Sequence, residues 1–300
     1  MREELFRNCT LCPRKCNVNR LEGKRGYCGM DSTIRAARAA LHMWEEPCIS
    51  GKKGSGAVFF SGCGLRCCFC QNRDIAIGDS GKEISVERLA EIFLELQEKG
   101  AANLNLVTGA HYVPHIISAL ELARGKGMNL PVVYNSSGYE SVETIRSLDG
   151  YVDVYLPDMK YMEPELAAAF SNARDYPQAA QSAIAEMMRQ TGPCQFAEDG
   201  YIKRGTIVRH LILPGHTKNS IAVLKYLYRT YGEDIFISVM NQYTPVWKNE
   251  KFPELNRKVT RREYEKVLDA AIELGIENGY FQEGETAEES FIPAFDYEGV

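Results

Sequence analysis

The sequence of 300 residues has no long uninterrupted apolar stretch, and its first residues, MREELFRN, include acidic side chains and lack the apolar core of a signal peptide. A membrane helix needs about 18 or more consecutive apolar residues, and a signal peptide needs an apolar segment after its charged start. We therefore expect a cytoplasmic protein with no membrane partner. The chain also has no positive excess, since its net charge is −5 and its pI is about 5.7. Such a charge gives no general field that attracts nucleic acid, so we do not expect a nucleic-acid partner.

Low complexity and internal repeats are absent as well. Hydrophobic residues make up 45% of the chain and charged residues 25%, which are ordinary values for a soluble globular protein and exclude a disordered or collagen-like chain. A length of 300 residues accommodates one large α/β barrel or two smaller domains. We predict a small N-terminal module over residues 1–50 and a larger α/β domain over residues 51–300.

The ten cysteines are distributed unevenly, because nine of them fall in the first 70 residues. In a chain with no export signal, closely spaced thiols indicate metal or redox ligands rather than a disulfide framework. The two groups of candidate ligands are Cys9, Cys12, Cys16 and Cys28, and Cys63, Cys67 and Cys70. We expect Cys48 and Cys194 to bind no metal.

From Ala57 onward, short apolar runs alternate with amphipathic segments, which is typical of repeated βα units around a parallel sheet. Most of the runs lack polar alternation, as strands buried on both faces do. Six strands are predicted at residues 57–61, 103–108, 132–135, 152–156, 207–213 and 235–239. Six strands interleaved with helices fit either an open (β/α)6 barrel or a doubly wound sheet, and periodicity alone does not choose between them.

Helix boundaries are marked by capping residues and prolines. Helices are predicted to begin at Ser85, Pro114, Pro177 and Thr260, the last with Glu263 in a capping box. Residues 163–201, between the fourth and fifth strands, are more than one crossover helix needs, so we expect an extra helix or a lid there.

The second cysteine group has the spacing CxxxCxxC and directly follows the first predicted strand. Three thiolates suit three corners of a [4Fe–4S] cluster and leave the fourth iron open to a further ligand. The alternative is a zinc site or a chance clustering of cysteines. Cys68 lies outside this spacing and is expected to act as a small hydrophobic residue.

This cysteine loop resembles the motif of the radical S-adenosylmethionine (SAM) superfamily. The likeness extends to the X-type homologues of pyruvate formate-lyase-activating enzyme through GSGAVFFSGCGLRCCFCQN, NLNLVTGAHY, PVVYNSSGYE, VDVYLPDMKY, IVRHLILPG and VMNQYTP. The resemblance implies a partial (β/α)6 barrel with SAM across the C-terminal ends of its strands. It also implies that the open iron chelates the methionine part of SAM, and that reductive cleavage yields a 5′-deoxyadenosyl radical that abstracts a hydrogen atom from the substrate.

The resemblance also implies which residues bind SAM. Phe69 would lie near the adenine, and Thr108 and Gly109 occupy the turn that holds the methionine amino group, where only Gly109 is a clear match. Arg209, on the fifth predicted strand, is expected to face inward and contact SAM, with a structural salt bridge as the alternative. Because side chains alternate along a strand, His210 would then face outward.

A monovalent cation is implied by two further segments, which help to place such an ion against the SAM carboxylate in glycyl-radical-enzyme activases. Asn135 and Ser136 stand where those activases carry Asp-Thr-Asn-Gly, and Asp158 and Lys160 match their Asp-x-Lys segment. Asp158 is therefore a candidate cation ligand, with a solvated turn acid as the alternative. Asn135 in place of the first aspartate removes one negative charge from the proposed site. Substrate contact, or a satisfied polar neighbour, is expected for three residues at strand ends: His111, Gln242 and Tyr243.

The first cysteine group has the spacing CxxCxxxC, followed after eleven residues by one more cysteine. Four thiolates close a tetrahedral zinc site or saturate a second iron–sulfur cluster, and the spacing does not distinguish these. Either centre would have no open position.

Three functions are compatible with these features. The first is a glycyl-radical-enzyme activase, with a protein glycine as substrate and a flavodoxin- or ferredoxin-like electron donor. The second is a radical SAM enzyme that acts on a small molecule, a lipid, a peptide or RNA, and it would be favoured if residues 1–50 cover the barrel mouth. The third is a non-catalytic iron–sulfur or zinc protein.

Overall fold

The computed structural model describes residues 4–78, 80–282, 293 and 295–300. The strands in these ranges are β1 (Ile34–His42), β2 (Ser55–Phe60), β3 (Lys82–Ile84), β4 (Leu104–Val107), β5 (Val132–Ser136), β6 (Val154–Pro157), β7 (Gln195–Phe196), β8 (Ile202–Leu211), β9 (Phe236–Met240) and β10 (Gly279–Phe281). The helices are α1 (Glu4–Arg7), α2 (Pro47–Ser50), α3 (Arg73–Ala76), α4 (Val86–Glu98), α5 (Val113–Gly125), α6 (Val142–Ser147), α7 (Pro164–Ser171), α8 (Tyr176–Thr191), α9 (Thr217–Tyr231) and α10 (Arg261–Leu274). None of the helices in the described ranges has the length and apolar character needed to span a bilayer.

The sheet has the strand order of an open barrel. Its path runs β10-β9-β8-β6-β5-β4-β2-β1-β3, with β7 paired to β8. The six strands β2, β4, β5, β6, β8 and β9 are parallel and lie side by side in chain order. A doubly wound sheet would reverse its order at a switch point, and this core of six strands does not. The predicted α/β fold with a partial barrel is confirmed.

All six predicted strands are present, but β1, β3, β7 and β10 were missed. Three of the four have only two or three residues, and β1 reads IRAARAALH, in which alanines carry little strand preference. Strand β1 belongs to the region predicted as the N-terminal module, yet it pairs antiparallel with β2 from Ala36 opposite Phe60 to His42 opposite Ser55. The two predicted units therefore share one sheet, and their boundary near residue 50 stays a prediction.

The predicted helix starts agree with the structure within a residue or so. The Ser85 side chain accepts a hydrogen bond from the Arg88 amide at the start of α4. Thr260 and Glu263 form the complete capping box of α10. Helix α7 is the expected extra helix between the fourth and fifth parallel strands.

Alternation along the strands separates an apolar outer face from a mixed inner face. Leu104 and Leu106 of β4 pack outward in a core that includes α4 and α5, whereas Asn105 faces inward. At one end of the barrel interior, Cys48 and Ile49 of α2 pack into a separate apolar cluster with residues of β5, β6 and β8. This plug closes the barrel below the polar inner residues and leaves its C-terminal end available for a site.

Candidate functional site

The second cysteine group lies at the C-terminal end of β2, on the wall of a cavity of about 260 Å³. Cys63, Cys67 and Cys70 all line this cavity. A side chain at Gly62, where φ is +92°, would bring a Cβ within 2.5 Å of Met30, so the tight turn into the loop requires glycine.

The thiols are partly buried and influence one another electrostatically. Burial raises the pKa of Cys67 to about 11 and that of Cys70 to about 12, and the neighbouring thiols add to both shifts while Lys160 opposes them. Such thiols are protonated at neutral pH unless a metal displaces their protons. The Ser171 hydroxyl donates a hydrogen bond to Cys67 Sγ at 3.0 Å.

Three soft thiolate donors around one cavity are suited to an iron–sulfur cluster. In the described part of the chain, no group of three or more His, Cys, Asp or Glu side chains is arranged to hold a single metal ion. A cluster differs from a single ion because its cysteine ligands bind different irons and surround it, so they need not converge on one point. Cys63, Cys67 and Cys70 therefore fit a [4Fe–4S] cluster with one open iron.

A charged network crosses the inner wall of the same cavity. Arg209 donates from Nε to Asp158 Oδ1 at 3.1 Å, from Nη1 to Glu45 Oε2 at 3.1 Å and from Nη2 to Asn135 Oδ1 at 2.6 Å. Lys160 Nζ donates to Asp158 Oδ2 at 2.5 Å. Burial raises the pKa of Asp158, but Lys160 and Arg209 outweigh it and hold that pKa below its usual range. The carboxylate is therefore ionised in this network.

Both oxygens of Asp158 are thus taken by cationic side chains, and Asn135 Oδ1 faces the same guanidinium. A monovalent cation ligated by Asp158 would have to displace Lys160 or Arg209 from a short contact. The arrangement does not fit that ion without rearrangement, and the cation stays a prediction. Asp158 is not a solvated turn acid, since only 15% of its side chain is exposed.

Most of the predicted SAM-binding residues line the main cavity. They are Phe69, Thr108, Asn135, Ser136, Asp158, Lys160 and Arg209. Gly109 lies behind the wall, where a Cβ would come within 2.6 Å of Ile116. Arg209 faces inward as expected, while His210 faces outward to the Met159 carbonyl and Ser220 hydroxyl.

Of the three substrate candidates, Gln242 lines the main cavity and the other two are engaged elsewhere. Tyr243 donates to the Leu255 carbonyl at 2.7 Å and packs edge-on against Phe69. His111 Nε2 is 2.7 Å from the Ser61 carbonyl, and burial with the nearby Arg20 charge lowers its pKa to about 3. His111 is therefore neutral and has its own backbone partner.

Glu45 was missed by sequence reasoning, although only 9% of its side chain is exposed and it accepts hydrogen bonds at the cavity floor from Asn105, Asn135 and Arg209. It lies in the loop between β1 and α2, and the local sequence MWEEP carries no motif. The role of Glu45 as a hydrogen-bond acceptor is evident only from its position beneath three inward-facing polar side chains. His42 and Trp44, from the same loop, also line the cavity, and Trp44 is 61% exposed.

The first cysteine group gathers beside the second. Cys12 and Cys28 line a small cavity of about 20 Å³ together with Cys63 and His111. The Tyr27 amide donates to Cys16 Sγ at 3.2 Å, and Arg20 approaches Cys9 Sγ at 3.8 Å. Cys48 lies in the apolar plug with Cys194 packed against it, so both belong to a different part of the barrel.

Sequence comparisons relate the chain to known proteins. Residues 57–227, more than half of the chain, match the Radical SAM superfamily. An uncharacterised protein of Methanocaldococcus jannaschii, MJ0674, is 30% identical over 276 residues, covering 90% of this chain and 75% of that protein. Pyruvate formate-lyase-activating enzyme of Clostridium pasteurianum is 27% identical over 113 residues, covering 36% of this chain and 46% of that enzyme.

Solved structures that match part of this chain are larger. Streptococcus suis SuiB bound to S-adenosylmethionine matches with 12% identity and a TM-score of 0.45, covering 74% of this chain and 45% of that chain. The structure of anSMEcpe with bound AdoMet matches with 12% identity and a TM-score of 0.48, covering 71% of this chain and 57% of that chain. The chain thus spans about half the length of these two structures.

Proposed function

Because the chain belongs to the radical SAM superfamily, we propose that it reductively cleaves SAM at a [4Fe–4S] cluster held by Cys63, Cys67 and Cys70. One observation carries the proposal. The three thiols line the same cavity as Phe69 and the Asp158–Lys160–Arg209 network, at the C-terminal ends of parallel strands. Sites at this end of a barrel are built from the loops that follow the strands.

When bound at Cys63, Cys67 and Cys70, the cluster would supply with SAM the radical chemistry for hydrogen-atom abstraction. The chain's own residues orient the reactants and exclude water. Phe69 offers an aromatic surface to the adenine. Lys160 uses one of its three ammonium donors on Asp158 and is close enough to Cys67 to lower that thiol's pKa, so it would be suited to bind the carboxylate of SAM.

We test the proposal through 5′-deoxyadenosine formation by anaerobically reconstituted protein with dithionite. Wild type is expected to form it, and Cys63→Ala is expected to lose both product and cluster iron. Cys68→Ala is the matched control, because Cys68 lies in the same loop but outside the CxxxCxxC spacing. Product from Cys63→Ala at the wild-type rate contradicts the proposal. So does an iron-replete wild type whose electron paramagnetic resonance spectrum does not respond to SAM, which would favour a non-catalytic iron–sulfur or zinc protein.

For the substrate, we propose a protein glycine, as in a glycyl-radical-enzyme activase with a flavodoxin- or ferredoxin-like electron donor. The partial likeness to pyruvate formate-lyase-activating enzyme supports this choice. Incubation with a glycyl radical enzyme such as pyruvate formate-lyase should then produce a glycyl radical signal. The alternative is a small molecule, lipid, peptide or RNA, favoured by His42, Trp44 and Glu45, which bring the N-terminal region into the cavity wall. Product formation without a glycyl radical would support that alternative.

We also propose that Cys9, Cys12, Cys16 and Cys28 bind a second metal centre, either zinc or an iron–sulfur cluster. Its support is the position of four cysteines in one loop region, with two of them on the wall of the small cavity. Among the described residues these thiols do not converge on a single ion, so zinc would require them to rearrange. Elemental analysis of wild type and Cys16→Ser separates the two chemistries. Wild type should contain about one more zinc ion, or about four more iron ions, for each chain than Cys16→Ser.

A further inference from the structure

Arg14 lies within the first cysteine group, between Cys12 and Cys16, but its side chain reaches the second group. Its Nε donates to the Gly64 carbonyl at 2.8 Å, directly after Cys63 in the loop. Its Nη1 and Nη2 donate to the carbonyls of Asn172 at 2.5 Å and Ser171 at 3.2 Å. One guanidinium therefore joins two segments that are more than one hundred residues apart in the chain.

The second of these segments, the end of α7, contacts the first, the cluster-binding loop of residues 62–70. Ser171, at the end of α7, donates its hydroxyl hydrogen to Cys67 Sγ at 3.0 Å. The preceding Phe170 carbonyl accepts a hydrogen bond from the Cys68 amide at 2.8 Å. Asn172 ends α7 in the left-handed conformation, with φ of +51°, and this turn directs its carbonyl to Arg14. Arg14 thus fixes the loop at Gly64 and fixes the helix end that contacts Cys67.

The first cysteine group in turn holds Arg14. Its guanidinium lies 4.0 Å from the centre of the Tyr27 ring and 5.2 Å from that of Tyr139. The Tyr27 amide donates to Cys16 Sγ, and Arg66 of the cluster-binding loop lies 5.2 Å from the same Tyr27 ring. A Cβ on Gly64 would lie only 3.7 Å from Cys12 Sγ, so the two loops are in close packing.

We propose that Arg14 is a positioning residue that couples the two cysteine groups. The N-terminal loop holds Arg14 in place, and Arg14 in turn fixes the position of the cluster-binding loop relative to α7. This inference rests on the proposed function for the role of Cys63, Cys67 and Cys70. Arginine is suited to the task because its planar fork carries five donors, three of which bond to different carbonyls here. The compact ammonium of a lysine cannot span them in the same plane.

The experiment compares Arg14→Ala and Arg14→Lys with wild type, with Arg124→Ala as matched control. Arg124 also donates to two carbonyls, those of Gly150 and Tyr151, and lies over the Tyr151 ring, but it is on α5, away from the cavity. Amide hydrogen exchange of the reconstituted protein is followed in peptides spanning residues 62–70 and 170–173. Iron and sulfide content and the paramagnetic resonance response to SAM are measured on the same samples.

Arg14→Ala is expected to speed exchange in both peptides about tenfold, since hydrogen bonds from a charged donor shift local opening by at least that factor. We expect reduced iron at the second group and a weaker spectral response to SAM. Arg14→Lys should fall between Arg14→Ala and wild type, and Arg124→Ala should match wild type in these peptides. If Arg14→Ala exchanges like wild type, or if Arg124→Ala accelerates the same peptides equally, the coupling is overturned. A wild type that does not respond to SAM overturns the proposed function instead, while the exchange contrast still decides the role of Arg14.

Discussion

Ser171 shows how one hydroxyl can act on the site without lining it. Its Oγ donates to Cys67 Sγ at 3.0 Å and also contacts the Tyr161 hydroxyl at 2.7 Å, so its orientation is constrained from two sides. Hydrogen bonds to cluster sulfurs stabilise the more negative, reduced state and so raise the reduction potential. We therefore expect Ser171 to make the cluster easier to reduce.

Ser171→Ala is therefore expected to lower the reduction potential of the cluster by about 40 mV, the equivalent of about 1 kcal/mol for one electron. A potentiometric titration monitored by paramagnetic resonance measures the shift. Ser118→Ala is the control, because Ser118 bonds only to the Pro114 carbonyl within α5 among the described contacts. An unchanged potential in Ser171→Ala would show that this hydrogen bond does not tune the centre.

At the same scale, the sequence predicted the residues with motif context and missed those without it. Spacing and strand alternation placed the three cysteines of CxxxCxxC and Arg209 at one site, and all four line the cavity, while their roles stay a prediction. Glu45 could not be found in this way, because its function depends on three donors from distant strands that converge on one loop carboxylate.

At the scale of elements, β8 carries polar groups on both faces. Arg209 faces the cavity, while His210 is held on the outer side by the Met159 carbonyl at 2.7 Å and the Ser220 hydroxyl at 2.9 Å. His210 thus ties β8 both to the segment after β6 and to α9. Burial lowers its pKa to about 4, with Lys160 adding to the effect, so the ring is neutral in the folded protein.

A depressed histidine pKa makes folding sensitive to acid. The unfolded chain takes up a proton near pH 6.5, whereas the folded chain resists it until about pH 4, so stability is lost as pH falls through this window. His210→Gln should remove this part of the loss, at about 1.4 kcal/mol for each pH unit below 6.5. Urea unfolding of both proteins at pH 7.5 and pH 5 measures their free energies of unfolding. Each value is extrapolated to zero urea with the slope of its transition. Parallel losses of stability in the two proteins would contradict the assignment.

The strands that were not predicted are short or have little strand preference of their own. The six parallel strands are continuous apolar runs and are readable from sequence, whereas β1 is an alanine-rich strand next to the sheet edge. Strand β10 has three residues, and its place beside β9 depends on tertiary packing rather than on its own composition.

At the scale of the whole molecule, the last described residues secure the edge of the barrel. The Tyr297 amide donates to the Ala37 carbonyl at 3.1 Å, and the Ala39 amide donates to the Glu298 carbonyl at 2.8 Å. Arg38 pairs with Asp296 and Glu298, and the Phe295 ring packs edge-on against Phe59. This segment therefore covers the part of β1 that β3 leaves free.

Deletion of residues 295–300 is expected to destabilise the protein by about 2 to 4 kcal/mol, since it removes backbone hydrogen bonds and uncovers the Phe59 ring. The exposed backbone of β1 should also promote association through strand pairing. Chemical unfolding and light scattering measure the two effects. The double variant Asp296→Asn and Glu298→Gln controls for the lost ion pairs, and a deletion as stable as wild type would contradict the role given to this segment.

The contacts of Arg14 with residues far along the chain also determine when during protein synthesis the two cysteine groups can be brought together. Its partner Asn172 lies 158 residues further along the chain. At about 5–20 residues each second, a ribosome adds those residues in about 8 to 30 s. Cys16, Cys28, Cys63, Cys67 and Cys70 are added during that interval. All seven cysteines of the two groups are therefore synthesised before the end of α7 that contacts Arg14. Under the proposed role of Arg14, we expect loading of the cluster-binding loop only after translation of α7, with the thiols kept reduced until then.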